Sequence, residues 1–151
     1  MQRSGQGTSG QGTSGQGGAK PEIRGQGADV PDDRRSLGEV GESIAARYLT
    51  ERGARVLARN WRCLEGELDL VVVEPDGVVV AVEVKTRRGV GFGDPVEAVT
   101  AVKQRRLRRL LGQWLRQNPT VGAAGLRIDV VGVLILRGRP VHVRHLTGVG
   151  A

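Results

Sequence analysis

Two short runs hold most of the chain's capacity for chemistry: Glu67 and Asp69 in GELDL, and Glu83 and Lys85 in AVEVKTRR. Each sets charged side chains two positions apart among valines and leucines. On a β-strand that spacing puts the charges on one face and leaves the other apolar. Between the runs lie Glu74, Pro75, Asp76 and Gly77. Pro suits the second position of a type I turn and Asp the third. Gly accepts the left-handed conformation that closes a three-residue hairpin loop with a bulge. With residues 75 to 77 as the loop, Glu74 pairs with Val78, and counting outward sets Asp69 opposite Glu83 and Glu67 opposite Lys85.

Opposed residues of an antiparallel pair have β-carbons about 5 Å apart on the same face. Two carboxylates so placed repel unless a positive charge sits between them. A divalent cation such as Mg²⁺ suits the position, because it takes oxygen ligands from one or two carboxylates, water and substrate phosphates. Lys85, one pleat further along, would reach a bound water or a phosphate oxygen. The bland alternative is a solvated face of surface ion pairs. The Asp69 and Glu83 opposition speaks against it, since a solvated face more readily sets opposite charges across from each other. A one-residue shift in register would undo the argument. The reverse face, Leu68, Leu70, Val72, Val80, Val82 and Val84, is predicted to pack on a helix.

Composition narrows the chemistry further. Cys63 is the only cysteine, which excludes internal disulfides and thiolate clusters, and the only histidines are His142 and His145. Chemistry in the middle of the chain must use carboxylates, Lys, Arg or hydroxyls. The net charge is +7, and from Val78 onward 13 basic residues face four acidic ones. That imbalance favours a polyanionic partner such as nucleic acid. No run approaches the roughly 18 apolar residues of a membrane helix, and the start of the sequence lacks the apolar stretch of a signal peptide. A cytoplasmic protein without a membrane partner is expected.

The elements that must position these residues follow from periodicity. Residues 1 to 35 form a Gly, Gln, Ser and Thr-rich segment built on the repeat GQGTS, too poor in apolar side chains to fold, and residues 36 to 151 form one domain. Ser36 and Glu39 make a capping box for a helix over about 37 to 52 that Gly53 closes. Glu42 falls at the border of its apolar stripe, where it reaches either the sheet or solvent. A strand in ARVLARNW, the two hairpin strands and a helix opened by Asp94, Pro95 and Glu97 come next. That helix runs to about Gln117, with Val96, Val99, Leu107, Leu110, Leu111 and Trp114 as its stripe. Lys103 lies within the stripe, so it either snorkels or leans over the carboxylates. Arg105, Arg106, Arg108 and Arg109 make a cationic surface or a plain solvated face. LRIDVVGVLIL and PVHVRHL read as closing strands. The order αβββαβ(β) implies an α/β fold, a mixed sheet with a parallel crossover and flanking helices.

The string GESIAARYLTERGARVLARNWRCLEGELDL, followed by VEVKTRR, FGDPVEAV, KQRRL and RIDVV, resembles the YraN-type family of bacterial proteins over about residues 36 to 136. That family belongs to the restriction endonuclease-like, PD-(D/E)XK, superfamily and is similar to archaeal Holliday junction resolvases. The resemblance implies an αβββαβ core and a metal-dependent nuclease. Asp69 matches the motif aspartate, Glu83 the second acidic ligand, Lys85 the motif lysine, and Glu42 the helical glutamate of resolvase-like members. The proline of the motif is replaced by Leu68. Gly66, Glu67 and Lys103 match typical family positions, and Asp129 fits either a family pattern or strand pairing. Asp69 and Glu83 would hold Mg²⁺ or Mn²⁺, while Arg87, Arg88, Lys103 and Arg106 would hold a nucleic-acid backbone, DNA in the first instance. Resolvases of similar fold act as dimers, so a homodimer is the corresponding expectation. A non-catalytic nucleic-acid-binding module of the same fold, and an interaction adaptor in DNA repair or uptake, are the alternatives.

Overall fold

The hairpin turn forms as its residues dictate. Glu74 donates its backbone N–H to Val78 at 2.9 Å, Gly77 donates to Glu74 at 2.9 Å, and Gly77 is left-handed with φ +86°. The computed structural model describes residues 33–89 and 99–150. The repeat-rich segment up to residue 32, and the expected helix-opening residues Asp94, Pro95, Val96 and Glu97, lie outside the described residues.

Helix α1 spans Asp33–Glu51, and strands β1 Arg55–Cys63, β2 Gly66–Val73 and β3 Val78–Arg88 follow. Helix α2 spans Ala101–Gln117, and strands β4 Gly125–Ile135 and β5 His142–Leu146 complete the domain. The strands form one sheet in the order β1-β2-β3-β4-β5. β3 and β4 are parallel and all other neighbours antiparallel. The parallel pair is the one joined through α2, as the crossover reading requires. The result is an α/β fold with a five-stranded mixed sheet between two helices, consistent with a restriction endonuclease-like core.

The two helices cover opposite faces. Ala45, Ala46 and Leu49 of α1 pack with Leu70, Val72, Val80, Val82, Val131 and Val133. Leu107, Leu110, Leu111 and Trp114 of α2 pack with Leu68, Val71, Val79, Ala81, Ile128 and Val130. Leu68 therefore departs from the expected face: it lies on the α2 side, whereas Leu70 lies on the α1 side. The break in alternation falls at Asp69, and on the neighbouring strand at Asn60, whose φ of 48° is left-handed.

Both helix starts differ from the sequence reading. α1 begins at Asp33, so Ser36 lies inside the helix instead of capping it. α2 begins at Ala101, with Thr100 as its cap: the Thr100 hydroxyl accepts the N–H of Lys103 at 3.2 Å. Val99 is buried but precedes the helix. The end of α1 is as expected. Gly53 has φ +96°, and Ala54 donates back to Leu49 at 3.1 Å, satisfying a carbonyl of the last turn.

Candidate active site

The β2–β3 pairing keeps the expected register from Val73 opposite Val79 to Leu70 opposite Val82. Asp69 and Glu83 come one step beyond the last of these pairs. There the Asp69 side chain takes over from the backbone, Oδ2 accepting the N–H of Val84 at 2.8 Å. Glu67 does not meet Lys85 as the count implied. It pairs with Arg62 of β1, its neighbour in register, at 3.1 Å.

Glu83 is buried at 7% exposure, and its charge is answered by two lysines on the same oxygen. Lys85 Nζ lies 2.9 Å from Glu83 Oε1, and Lys103 Nζ, reaching in from α2, donates a short hydrogen bond to that atom. Burial alone would lower the Lys103 pKa, but the hydrogen bond and charge of Glu83 raise it overall. Asp69 is held differently. Burial first, and the Glu83 charge second, push its pKa up from 3.8 to about 7; the Val84 N–H opposes the rise, and Glu42 and Glu67 add to it. Two neighbouring carboxylates, one driven toward neutrality by burial and then by the charge of the other, form a donor set that a divalent cation would relieve. Among the described residues no group of three or more His, Cys, Asp or Glu side chains gathers to hold a metal. Asp69 and Glu83 fit an ion that draws its remaining ligands from water and phosphate.

The sequence-derived residues divide between two clefts. Asp69, Glu83, Lys103 and Arg106 line one of about 490 Å³, together with Arg62, Cys63, Gly66, Glu67 and two leucines of α2. Glu42, Lys85, Arg87 and Arg88 line another of about 560 Å³, beside Arg34 and Thr86. The Glu83 to Lys85 ion pair joins them. Glu42 reaches this position because α1 lies almost on β3: a β-carbon on Gly41 would fall 1.7 Å from Thr86 Oγ1. Arg106 is placed by a similar device. Gly66 has φ +151°, a β-carbon there would meet Arg106 Nη2 at 2.7 Å, and Arg106 Nε donates to the Glu65 carbonyl at 3.0 Å.

Arg62 and Cys63 are cleft residues that sequence reasoning did not single out. Their signal was weak, because β1 carries three arginines at irregular spacing. Asp129 is not part of either cleft. It is fully buried and accepts hydrogen bonds from Arg127 at 2.7 and 2.8 Å and from Gly148 at 2.9 Å, with His145 at 2.8 Å. Burial opposes its charge, but His145 and Arg127 outweigh it and hold the carboxyl below the usual range.

A family model described as "Uncharacterised protein family UPF0102" matches residues 41–133, a span that contains Asp69, Glu83, Lys85 and Lys103. The chain belongs to the UPF0102 family. It is 49% identical over 114 residues to a UPF0102 protein of Kineococcus radiotolerans, covering 76% of this chain and 93% of that one. It is 50% identical over 118 residues to a UPF0102 protein of Mycolicibacterium smegmatis, covering 78% and 94% of the two chains. A relative from Mycolicibacterium vanbaalenii is 53% identical over 119 residues, covering 78% and 96%. Among solved structures, "The structure of Pyrococcus Furiosus SfsA in complex with Ca2+" is similar at 16% identity and a TM-score of 0.32, covering 74% of this chain and 62% of that one. A likeness that slight carries no argument about the UPF0102 chain.

Proposed function

We propose that the chain is a metal-dependent nuclease that hydrolyses phosphodiester bonds in nucleic acid, with branched or otherwise structured DNA as its substrate. The observation that carries this reading is the meeting of Asp69 and Glu83 where β2 and β3 part, with Lys85, Lys103, Arg62 and Arg106 around them. Asp69 and Glu83 would hold Mg²⁺ or Mn²⁺. Such an ion supplies Lewis acidity toward a phosphoryl oxygen and acidifies a bound water. The chain's own residues do the rest. Lys85, anchored on Glu83, sets a positive donor between the clefts, where it meets charge developing on phosphate. Glu42 stands close enough to raise the Asp69 pKa and so lies within the field of the pair. Arg62 and Arg106, with Arg87 and Arg88 as the last two residues of β3, supply positive charge for a phosphate backbone without reading bases.

One observation favours a second reading, a binding module of this fold without turnover. Glu83 is already neutralised by two lysines, and no third metal-ligating side chain joins Asp69 and Glu83 among the described residues. The deciding experiment incubates linear, flapped and four-way DNA with Mg²⁺ or Mn²⁺ and either wild type or Glu83→Gln. Cleavage by wild type that the variant loses supports the nuclease. Tight binding by both without cleavage supports the binding module.

Among the described residues no helix is long and apolar enough to cross a membrane.

A further inference from the structure

Lys85 meets Glu83 from two positions along the same strand, which needs only the pleat. Lys103 meets it from another element. Its backbone N–H is held by the Thr100 cap, and Leu107, one turn on, is locked into the core, so packing aims Lys103 across the cleft. Both ammonium groups use Oε1 of Glu83. With Asp69 ionised, two carboxylates face two lysines, and the site is balanced with no metal in it.

A divalent cation entering this arrangement adds two positive charges beside two ammonium groups. The balance returns only if an ammonium withdraws or phosphate charges arrive. Lys103 is better placed to withdraw than Lys85: its side chain is 35% exposed against 20%, and it lines the cleft that Arg62 and Arg106 share. The same cleft carries Arg62 and Arg106, so a phosphate drawn there would lie within reach of the departing ammonium.

We propose that Lys103 is an internal counter-ion: it holds the metal position on Glu83 while nucleic acid is absent, and passes to a phosphate oxygen when metal and nucleic acid bind together. This deepens the nuclease reading and rests on it. Its consequence is coupling. The free chain binds metal weakly, nucleic acid strengthens metal binding, and metal strengthens nucleic-acid binding by the same factor.

The test titrates Mn²⁺ alone into the full chain, followed by electron paramagnetic resonance, for wild type, Lys103→Met, Lys103→Arg and Asp69→Asn, with circular dichroism to confirm folding. Lys103→Met is expected to bind Mn²⁺ about tenfold more tightly than wild type, within the usual range of such couplings. Lys103→Arg should stay close to wild type, and Asp69→Asn should lose the site. Fluorescence anisotropy of a labelled duplex, with and without Ca²⁺, should show a larger gain from metal in wild type than in Lys103→Met. Equal or weaker Mn²⁺ binding by Lys103→Met, with wild-type binding still dependent on Asp69, overturns the inference and leaves the metal site standing. No Mn²⁺ uptake by any of the folded proteins overturns both.

Discussion

Asp69 Oδ2 accepts the backbone N–H of Val84 at 2.8 Å, so a side chain of β2 replaces the next backbone bond to β3 just where the paired register ends. This one contact accounts for much of the site. It keeps a strand N–H satisfied while the backbones part, and it holds the Asp69 carboxylate beside that of Glu83. The strands can then separate enough to leave two largely buried acids lining a cleft, instead of closing over them in a continuous ladder.

Ionising Asp69 costs stability, first because its carboxyl is buried and then because of the Glu83 charge beside it. Asp69 has a folded pKa of about 7 against an ordinary 3.8. Between those values the folded chain holds more protons than the unfolded one, so stability falls as pH rises from about 4 to about 7 and is level above. Urea denaturation in EDTA should show this fall for wild type. Asp69→Asn keeps an acceptor for Val84 and removes the charge, so its curve should be flatter. Above pH 7 it should be the more stable protein, by on the order of 2 kcal/mol. A wild-type curve that rises through this window would refute the account.

Much of this was legible because local chemistry decides it. Pro75, Asp76 and Gly77 fix the turn, the turn fixes the register, and the register brings Asp69 to Glu83. The limits of the reading are equally specific. Strict alternation put Leu68 with Leu70, but Asn60 is left-handed beside Asp69, and Leu68 turns to the other helix. Nothing local to Leu68 announces that change. Counting sets Glu67 opposite Lys85 because it assumes that the ladder continues, whereas Asp69 ends it. Thr100 caps α2 although Asp94 and Pro95 offer the stronger sequence signal. The division of the site residues between two clefts depends on how far the strands part, a property of packing.

The close approach of α1 to β3 gives a second test. Gly41→Ala would set a methyl 1.7 Å from Thr86 Oγ1 and 2.8 Å from its β-carbon, so the helix or the strand must move. A loss of about 2 kcal/mol or more is expected from overpacking of this kind. Adding Thr86→Gly removes the obstructing atoms and should recover part of the loss in a double-mutant cycle. Additive losses would show that the contact is not the cause.

The buried Asp129 clasp ties β4 to β5 and to the segment that follows it, through His145 of β5 and the N–H of Gly148. Its outlying parts join distant elements: Arg127 also pairs with Glu74 at 2.9 Å, and the His145 ring stands edge-on to Tyr48 at 5.8 Å. Because the Asp129 pKa is lowered, its contribution is present above the ordinary 3.8 and is lost as pH falls through the lower folded value. Asp129→Asn should cost about 3 kcal/mol at neutral pH, as breaking a buried ion pair does. Its stability should also change less than that of wild type between pH 4 and pH 2. A neutral-pH loss below about 1 kcal/mol would show that the clasp is dispensable.

Arg106 tests whether the cleft meets a phosphate backbone. Its guanidinium lies over Gly66 and is tied to the Glu65 carbonyl, so it stands at the cleft rim in a set place instead of trailing in solvent. A cation that contacts one phosphate releases about one counter-ion on binding. Arg106→Ala should therefore weaken duplex binding to a similar degree for every sequence tried, and reduce the slope of log affinity against log salt by about one. Gly66→Ala should act in the same direction, because its methyl displaces Arg106 while leaving the charge in the protein. The salt slope separates the two variants: Gly66→Ala should regain part of it if the displaced guanidinium finds another phosphate, and Arg106→Ala has no means to do so. Unchanged affinity and slope in Arg106→Ala would place the nucleic-acid backbone elsewhere on the surface.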